Sequence, residues 1–207
     1  IDGKMFSVEQ VEQMRRKLEA ENIHLEICGD LSGEIWKERP GMPNTPAFIY
    51  ELKYAGKSCG EKVAAIRAEL KKKGIYALFL SSLDEIAWTL NLRGSDVHCN
   101  PVAVSYLLVE PEKATLFIQP QKVTPEVENY LADEGVHIFP YQQAQSSLRV
   151  YPHDSLLIDP ARTNYAILEA INPMTQIVYG TSPILLMKAV KNEYELSLIH
   201  ISEPTRL

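Results

Sequence analysis

The sequence predicts an α/β fold with a largely buried β-sheet. Apolar stretches of strand length alternate with segments in which apolar residues recur at helical spacing, a pattern typical of sheets covered by helices. Most helical segments begin at recognisable capping residues, so their order along the chain can be followed. The chain has 207 residues, 45% hydrophobic and 23% charged, which is enough for one domain or one and a half.

The first 29 residues are predicted to form one helix and one strand. Ser7 and Gln10 have the spacing of a capping box, and apolar residues then recur at helical spacing. Ile23–Ile27 alternates apolar and polar side chains, which indicates a half-buried strand. The chain starts without a methionine and almost directly with this helix, so we expect it to be part of a longer protein.

Residues 30–57 have the composition of an extended connector. Prolines in this stretch remove amide donors and disfavour helix in the residues before them. Large apolar residues favour an extended segment docked on a neighbouring surface over a flexible linker. These residues are Trp36, Phe48, Ile49 and Tyr50.

A second unit is predicted to begin at Ser58. Ser58 and Glu61 form another capping box, and the helix that follows stops at Gly74. Strands and helices then alternate. They are a strand at 75–80, a helix at 82–90, paired strands at 102–110 and 114–119, a helix from Thr124 to Gly135, strands at 136–139 and 156–158, a helix from Asp159 to Ile171, and a last helix from Ser182 through Val190.

Composition and charge exclude several classes of protein. The net charge is −6, and the sequence has no basic stripe of the kind that binds nucleic acid. No apolar run approaches the roughly 18 residues of a membrane span, and no secretory signal is visible. Cys28, Cys59 and Cys99 are few and odd in number, which indicates reduced thiols in a cytoplasmic protein. We therefore expect neither a nucleic acid nor a membrane as partner.

Motifs for metal, phosphate and nucleophilic chemistry are weak. No histidines or cysteines have the spacing of a metal site, and the adjacent His98 and Cys99 side chains diverge. Residues 56–58 resemble the end of a phosphate-binding loop, but the required glycine five residues earlier is Glu51. The serines lack a nucleophile-elbow context. No catalytic, cofactor-binding or metal-binding residue is assigned.

One polar loop combines a basic group, an acid and two amides. It runs from Asn91 to Pro101 after a helix that carries Trp88, and Gly94 lets it turn sharply. Two interpretations remain open. In one, the loop satisfies itself, with Asp96 paired to Arg93; in the other, it faces a ligand or a partner domain.

Four ordered motifs resemble the family of three-domain aminopeptidase P (Xaa-Pro aminopeptidase). Prolidase and creatinase share the fold more distantly, and the resemblance covers nearly all of residues 1–195. The motifs are Asp84–Trp88 running into Asn91–Asp96 and Asn100–Val102, Ile35–Pro40, Tyr54–Ser58 with Glu61–Val63, and Lys188–Glu193. Residues 196–207 instead resemble an in-frame translation of a transposase sequencing adapter, and we expect them not to be native. A natural tail that matches by accident is the alternative.

The resemblance implies creatinase-type N-terminal domains, each with a mixed central sheet flanked by helices (a ribonuclease H-like motif). Residues 1–29 are then the end of the first domain and 30–57 the connector. Residues 58–181 are the second domain, and 182–195 begin the helix that leads to a pita-bread catalytic domain.

The resemblance also implies a peptidase that releases an N-terminal residue followed by proline. Family members use two divalent metals, often manganese, held by two Asp, one His and two Glu of the catalytic domain. No residue here can be assigned as one of those ligands. The N-terminal domains of the family mediate homodimer contacts and border the active-site entrance, which limits access to short peptides. At that border we expect Arg93 and Asp96, supported by Trp88 and Asn91, with Arg93 facing a substrate carboxylate or carbonyl.

Two hypotheses follow for this chain. The first is a piece of a cytoplasmic enzyme that is inactive alone, because the metal-ligand domain is absent. The second is a stand-alone, non-catalytic creatinase-type module for binding or dimerisation. The adapter-like residues 196–207 favour the first.

Overall fold

The computed structural model describes residues 1–151 and 154–202, with side chains described as far as residue 199. Strands and helices run through both described ranges. The strands are β1 (Phe48–Ile49), β2 (Ala77–Leu80), β3 (Leu92–Arg93), β4 (Ser105–Val109), β5 (Ala114–Ile118), β6 (Val136–Pro140), β7 (Ser155–Ile158) and β8 (Gln176–Tyr179). The α-helices are α1 (Val8–Glu19), α2 (Leu31–Ile35), α3 (Leu52–Ala55), α4 (Cys59–Lys72), α5 (Leu83–Leu90), α6 (Pro125–Asp133), α7 (Gln143–Arg149), α8 (Tyr165–Ala170), α9 (Pro183–Ala189) and α10 (Glu193–Ser202).

The central sheet has six strands in the order β6-β5-β4-β2-β7-β8. Strands β2, β7 and β8 are parallel, β5 and β6 are parallel, and β4 runs antiparallel between β2 and β5. Five of the six strands therefore end at the same edge of the sheet. The short strands β1 and β3 pair separately, with Phe48 opposite Arg93. The predicted α/β class with a mixed sheet flanked by helices is confirmed.

Helices cover both faces of the large sheet, because successive strand residues point to opposite sides. On one face, Leu78 of β2 belongs to a core that also contains buried residues of α4, α5, α6 and α9. On the other, Phe79 packs in a core with buried residues of α7 and α8. Helix α1 packs on α8 through Val8, Val11 and Tyr165. No helix of the described residues has the length and apolar character that crossing a lipid bilayer requires.

The predicted helix starts at Ser7, Ser58 and Thr124 are confirmed. Both serines form complete capping boxes, in which the hydroxyl accepts from the third residue's amide and that residue's side chain accepts from the serine amide. Thr124 caps α6 and is followed by proline at the first helical position. Gly74 and Gly135 have φ values of 65° and 72°, the left-handed conformation common at helix ends.

The strand predicted at Ile23–Ile27 is wrong. The segment is extended, and its sheet-like contact is a single bridge between the following Cys28 and Asp2. Leu25 and Ile27 pack against the cluster around α1. The alternation here therefore reflects one side of the segment packing against α1. A β-strand also needs a neighbouring strand that pairs with its backbone amides.

The connector is hydrogen-bonded through its backbone at its carboxyl-terminal end. Trp36 is 55% and Phe48 53% exposed, so the expectation that they anchor the connector is wrong. Ile49 and Tyr50 are half-buried, as expected. The backbone amides of Ala47 and Tyr50 donate hydrogen bonds to the carbonyls of Lys122 and Asn91 at 2.9 and 2.7 Å. Backbone pairing holds this end in place, whereas the Trp36 and Phe48 side chains stay exposed.

The later part of the chain departs from the prediction in four places. Asp159 opens a turn, and α8 begins only at Tyr165, capped by Asn164. The last predicted helix, which we expected to continue through Val190 into the adapter-like residues, stops at Ala189, and α10 follows after a break. Helix α7 and strand β8 were not predicted. Both are short, and β8 is a half-exposed edge strand that pairs only with β7, so its hydrophobic pattern is weak.

Candidate functional site

The predicted polar loop begins where α5 ends. Asn91 has φ 48° and closes the helix in the left-handed conformation. Its carbonyl accepts a hydrogen bond from the amide of Tyr50 at 2.7 Å. Arg93 follows in β3, which pairs with β1 at the end of the connector. Trp88, Asn91 and Arg93 therefore lie together, at the point where the connector meets the domain.

A buried lysine lies beneath these residues. The ammonium group of Lys62, on α4, donates to the Trp88 carbonyl at 2.8 Å and to Asn91 Oδ1 at 2.6 Å. It lies 4.4 Å from the centre of the Trp88 ring, in the geometry of a cation–π contact. Lys62 is 2% exposed, and burial lowers its pKa to about 8. The side-chain Nδ2 of Asn91 also donates to the Lys57 carbonyl at 2.9 Å, so Asn91 holds the loop in place.

Backbone carbonyls hold the Arg93 guanidinium on one side. Its Nη1 donates to the carbonyls of Ala87 and Leu92 at 2.6 and 3.1 Å. The guanidinium lies 4.3 Å from the centre of the Tyr50 ring, and burial lowers its pKa. The residue is half-buried.

Asp96 lies apart from Arg93 and forms a fully buried ion pair with Lys122. Its second oxygen, Oδ2, accepts from the Val104 amide at 2.6 Å. The interpretation in which Asp96 pairs with Arg93 is therefore wrong. The expected place of Asp96 at an accessible entrance also conflicts with its burial, because both side chains of the pair are closed off from solvent. Asp96 fixes the base of the loop.

Trp88 connects this site to the last helix. Its indole Nε1 donates to Glu195 Oε1 at 2.9 Å. Glu195 and Asn192 form a reciprocal cap at the start of α10, with hydrogen bonds of 3.0 and 2.9 Å. The side-chain Nδ2 of Asn192 also donates to the Ala55 carbonyl at 2.9 Å. The start of α10 is thus held against both α3 and α5.

These side chains hold one another in position, and the described residues contain no catalytic set of the metal-dependent kind. Within residues 1–151 and 154–202, no group of three or more His, Cys, Asp or Glu side chains could hold a metal ion. His153, one of the histidines in the sequence, lies outside the described residues. Burial raises the pKa of Cys59 to about 12, so this thiol stays protonated at neutral pH. His98 and Cys99 are exposed at the outer end of the loop.

Lys62 and Lys122 were missed by reasoning from the sequence. For Lys62 a signal existed: it lies on the apolar stripe of α4, three residues after Cys59 and one before Val63, where lysine is uncommon. Lys122 follows a proline turn and has no comparable local signal. Glu195 was also missed, since its link to Trp88 spans 107 residues.

Comparison with known proteins places these features in a family. Residues 38–195 match the family model of the creatinase/prolidase N-terminal domain. The chain is similar to aminopeptidase P2 of Arabidopsis thaliana, with 34% identity over 95% of this chain and 32% of the plant protein. Xaa-Pro aminopeptidase 1 of Dictyostelium discoideum is 35% identical over the same shares. The chain thus spans about a third of the length of these curated relatives.

Solved structures give the same result. The X-prolyl aminopeptidase of Caenorhabditis elegans, described as a cytosolic enzyme with a di-nuclear active site, superimposes with a TM-score of 0.88 and 28% identity. The match covers 98% of this chain and 34% of that enzyme. The Xaa-Pro dipeptidase of Bacillus anthracis, at 14% identity and a TM-score of 0.55, shares the fold. Since the family model covers most of its residues, this chain belongs to the creatinase/prolidase N-terminal domain family, and its curated relatives are Xaa-Pro aminopeptidases.

Proposed function

We propose that this chain is the N-terminal, non-catalytic part of a metal-dependent Xaa-Pro aminopeptidase. Such an enzyme hydrolyses the bond between an N-terminal residue and a following proline. The observation that carries the proposal is the similarity of nearly the whole chain to about a third of the Caenorhabditis elegans X-prolyl aminopeptidase. The cytosolic description of that enzyme supports a cytoplasmic location for this one.

The chemistry belongs to the remainder of the protein in this proposal. The described side chains do not fit a two-metal centre, so we assign no metal ligand to them. Two divalent ions, with manganese as the expected metal, would be held by the pita-bread domain and would supply hydroxide for attack on the peptide carbonyl. The part described here supports homodimer formation and shapes the entrance for short peptides with proline second.

The domain boundaries belong to the same proposal. Residues 1–29 close the first creatinase-type domain, 30–57 connect, 58–181 form the second domain, and 182–195 lead towards the catalytic domain. The Trp88–Glu195 hydrogen bond supports the last boundary, because it sets the direction in which the chain leaves the second domain. In the complete protein, Arg93 lies at the entrance, with Trp88 and Asn91 holding it in position.

The purified chain is expected to show no Xaa-Pro cleavage, even with added manganese. The physical reason is the absence of a ligand cluster from the described residues. Mass spectrometry of a short peptide with proline at its second position measures release of the first residue. The complete protein is the positive control. Metal-dependent turnover by the purified chain would contradict the proposal, and a complete gene product without the two-Asp, one-His, two-Glu set would favour a stand-alone dimerisation module.

In the complete enzyme, Arg93→Ala is expected to raise KM for short peptides about tenfold with unchanged metal content. Losing one charge-assisted hydrogen bond to a substrate carboxylate or carbonyl gives an effect of this size. Steady-state kinetics and metal analysis measure both quantities. Arg67→Ala is the matched control, since Arg67 is also half-buried and donates to a backbone carbonyl, that of Glu110 at 2.8 Å. Equal kinetics in the two variants would make the loop purely structural.

A further inference from the structure

A crevice that the proposed function does not use opens at the edge of the sheet where five strands end. Its volume is about 340 Å³, and it lies between the end of β2, the start of β4 and the segment before α1. In open α/β sheets, ligands bind outside the carboxyl ends of the strands. Its lining includes Lys4, Ser81, Tyr106, Tyr141, Arg162 and Asn164.

The side chains that line this crevice include two cations, although the chain is acidic. Lys4 and Arg162 both line it, and no carboxylate is among its described lining residues, although the chain has a net charge of −6. The Lys4 side chain is exposed and takes part in none of the ion pairs between described residues. Its ammonium group is therefore available to an anion.

Arg162 keeps most of its donors. Its Nη1 donates to Ser82 Oγ at 3.0 Å. The closest carboxylate oxygens, on Asp84, Glu85 and Asp159, are 3.9, 3.9 and 4.0 Å away, beyond hydrogen-bond distance. These acids attract the guanidinium without occupying its N–H groups. The planar fork can therefore still bind a planar or tetrahedral oxyanion.

Two hydroxyl groups at the crevice also have no acceptor among the described residues. Tyr106 Oη accepts from Asn164 Nδ2 at 2.8 Å and from Tyr141 Oη at 3.1 Å, which leaves its own proton to donate. Ser81 Oγ is buried and has no hydrogen-bond partner among the described residues, which is unusual for a buried polar atom. Tyr106 and Tyr141 also line the crevice, and their rings stack on each other with centroids 5.0 Å apart and planes 15° apart.

We propose that this crevice binds a small organic anion. Its carboxylate or phosphate group lies between Lys4 and Arg162, and its apolar body lies against Tyr106 and Tyr141. The two cations supply charge, the unused N–H and O–H donors supply direction, and the ring pair supplies apolar contact. This site is separate from the Trp88–Arg93 site and does not depend on the peptidase activity.

Titration of the chain with phenyl phosphate, benzoate and uncharged benzamide tests the proposal. Two-dimensional ¹H–¹⁵N NMR is the readout, with the amides of Ser81, Tyr106 and Asn164 as reporters. We expect saturable shifts with at least one anion and about tenfold weaker binding of benzamide, because the charge-assisted hydrogen bonds are lost. The stronger of the two anions identifies the headgroup as phosphate or carboxylate. No saturable shift with either anion, or equal binding of benzamide, would overturn the proposal.

Matched lysine variants separate specific binding from general attraction of anions. Lys4→Gln is expected to weaken binding of the better anion about tenfold, and Lys17→Gln to leave it unchanged. Both lysines are exposed, and Lys17 lies on α1 away from the crevice lining, so each variant loses one positive charge with little effect on folding. Equal affinities in the two variants would rule out the assigned site. Unchanged dispersion of the remaining NMR signals verifies that each variant is folded.

Discussion

Asp96→Ala is expected to destabilise the chain by about 3 to 5 kcal/mol, the largest effect among the substitutions considered. The substitution leaves the Lys122 ammonium group buried without its partner, because both side chains of the pair are fully enclosed. It also removes the acceptor of the Val104 amide. Urea unfolding followed by circular dichroism measures the change in free energy of unfolding.

Two further variants give this prediction its controls. Glu69→Ala removes an ion pair with Lys72, whose side chain is 71% exposed, and is expected to change stability by less than about 1 kcal/mol. The double variant Asp96→Leu, Lys122→Met replaces the buried pair by apolar groups and is expected to recover most of the loss. A loss in Asp96→Ala no larger than that in Glu69→Ala would contradict the role assigned to the buried pair.

The second large effect is a pH dependence that comes from Lys62. Burial lowers its pKa to about 8 in the folded chain, from an ordinary value of 10.5. Below pH 8 both states are protonated, and the folded state bears the full penalty of a buried charge. Above pH 8 the unfolded state binds more protons than the folded state, so stability rises with pH until both are neutral.

Comparison with Lys62→Met isolates this contribution. Between about pH 7 and about pH 9.5, we expect the stability of the natural chain to rise relative to Lys62→Met by on the order of 2 kcal/mol. The difference between the two proteins is the relevant quantity, because Cys59, whose pKa burial raises to about 12, works in the opposite direction at higher pH.

Unfolding curves at each pH measure the effect. Lys71→Met, an exposed change on the same helix, is the matched control and is expected to run parallel to the natural chain. If the curve for Lys62→Met also ran parallel, the ammonium group of Lys62 would have to be better solvated than its hydrogen bonds and 2% exposure indicate.

Helix starts were predictable from the sequence because their determinants are local. A capping serine and its partner lie three positions apart, as at Ser7 and Ser58, and the box forms whatever the rest of the chain does. The β4–β5 hairpin was predictable for the same reason, since the two strands follow each other directly. By contrast, Ile23–Ile27 had the right alternation but no neighbouring strand, and the edge strand β8 had a neighbour but little hydrophobic pattern.

In the candidate site, too, local sequence predicted some features and not others. Three residues of the site are close in sequence, since Trp88, Asn91 and Arg93 lie within six positions of one another. Their proximity in the structure therefore follows from the place where α5 ends, although their role at an entrance stays a prediction. The family resemblance also rested on short motifs of this kind, and the family model and relatives confirm it.

Residue patterning thus accounts for the α/β class, the helix starts and the family of this protein, because those properties depend on neighbours along the chain. The fold decides which charged groups are buried and which partners they contact. Lys62 meets Asn91 29 residues later, and Lys122 meets Asp96 26 residues earlier. Whether a lysine is buried, and which carboxylate or carbonyl compensates it, depends on contacts between distant segments, which local spacing does not encode.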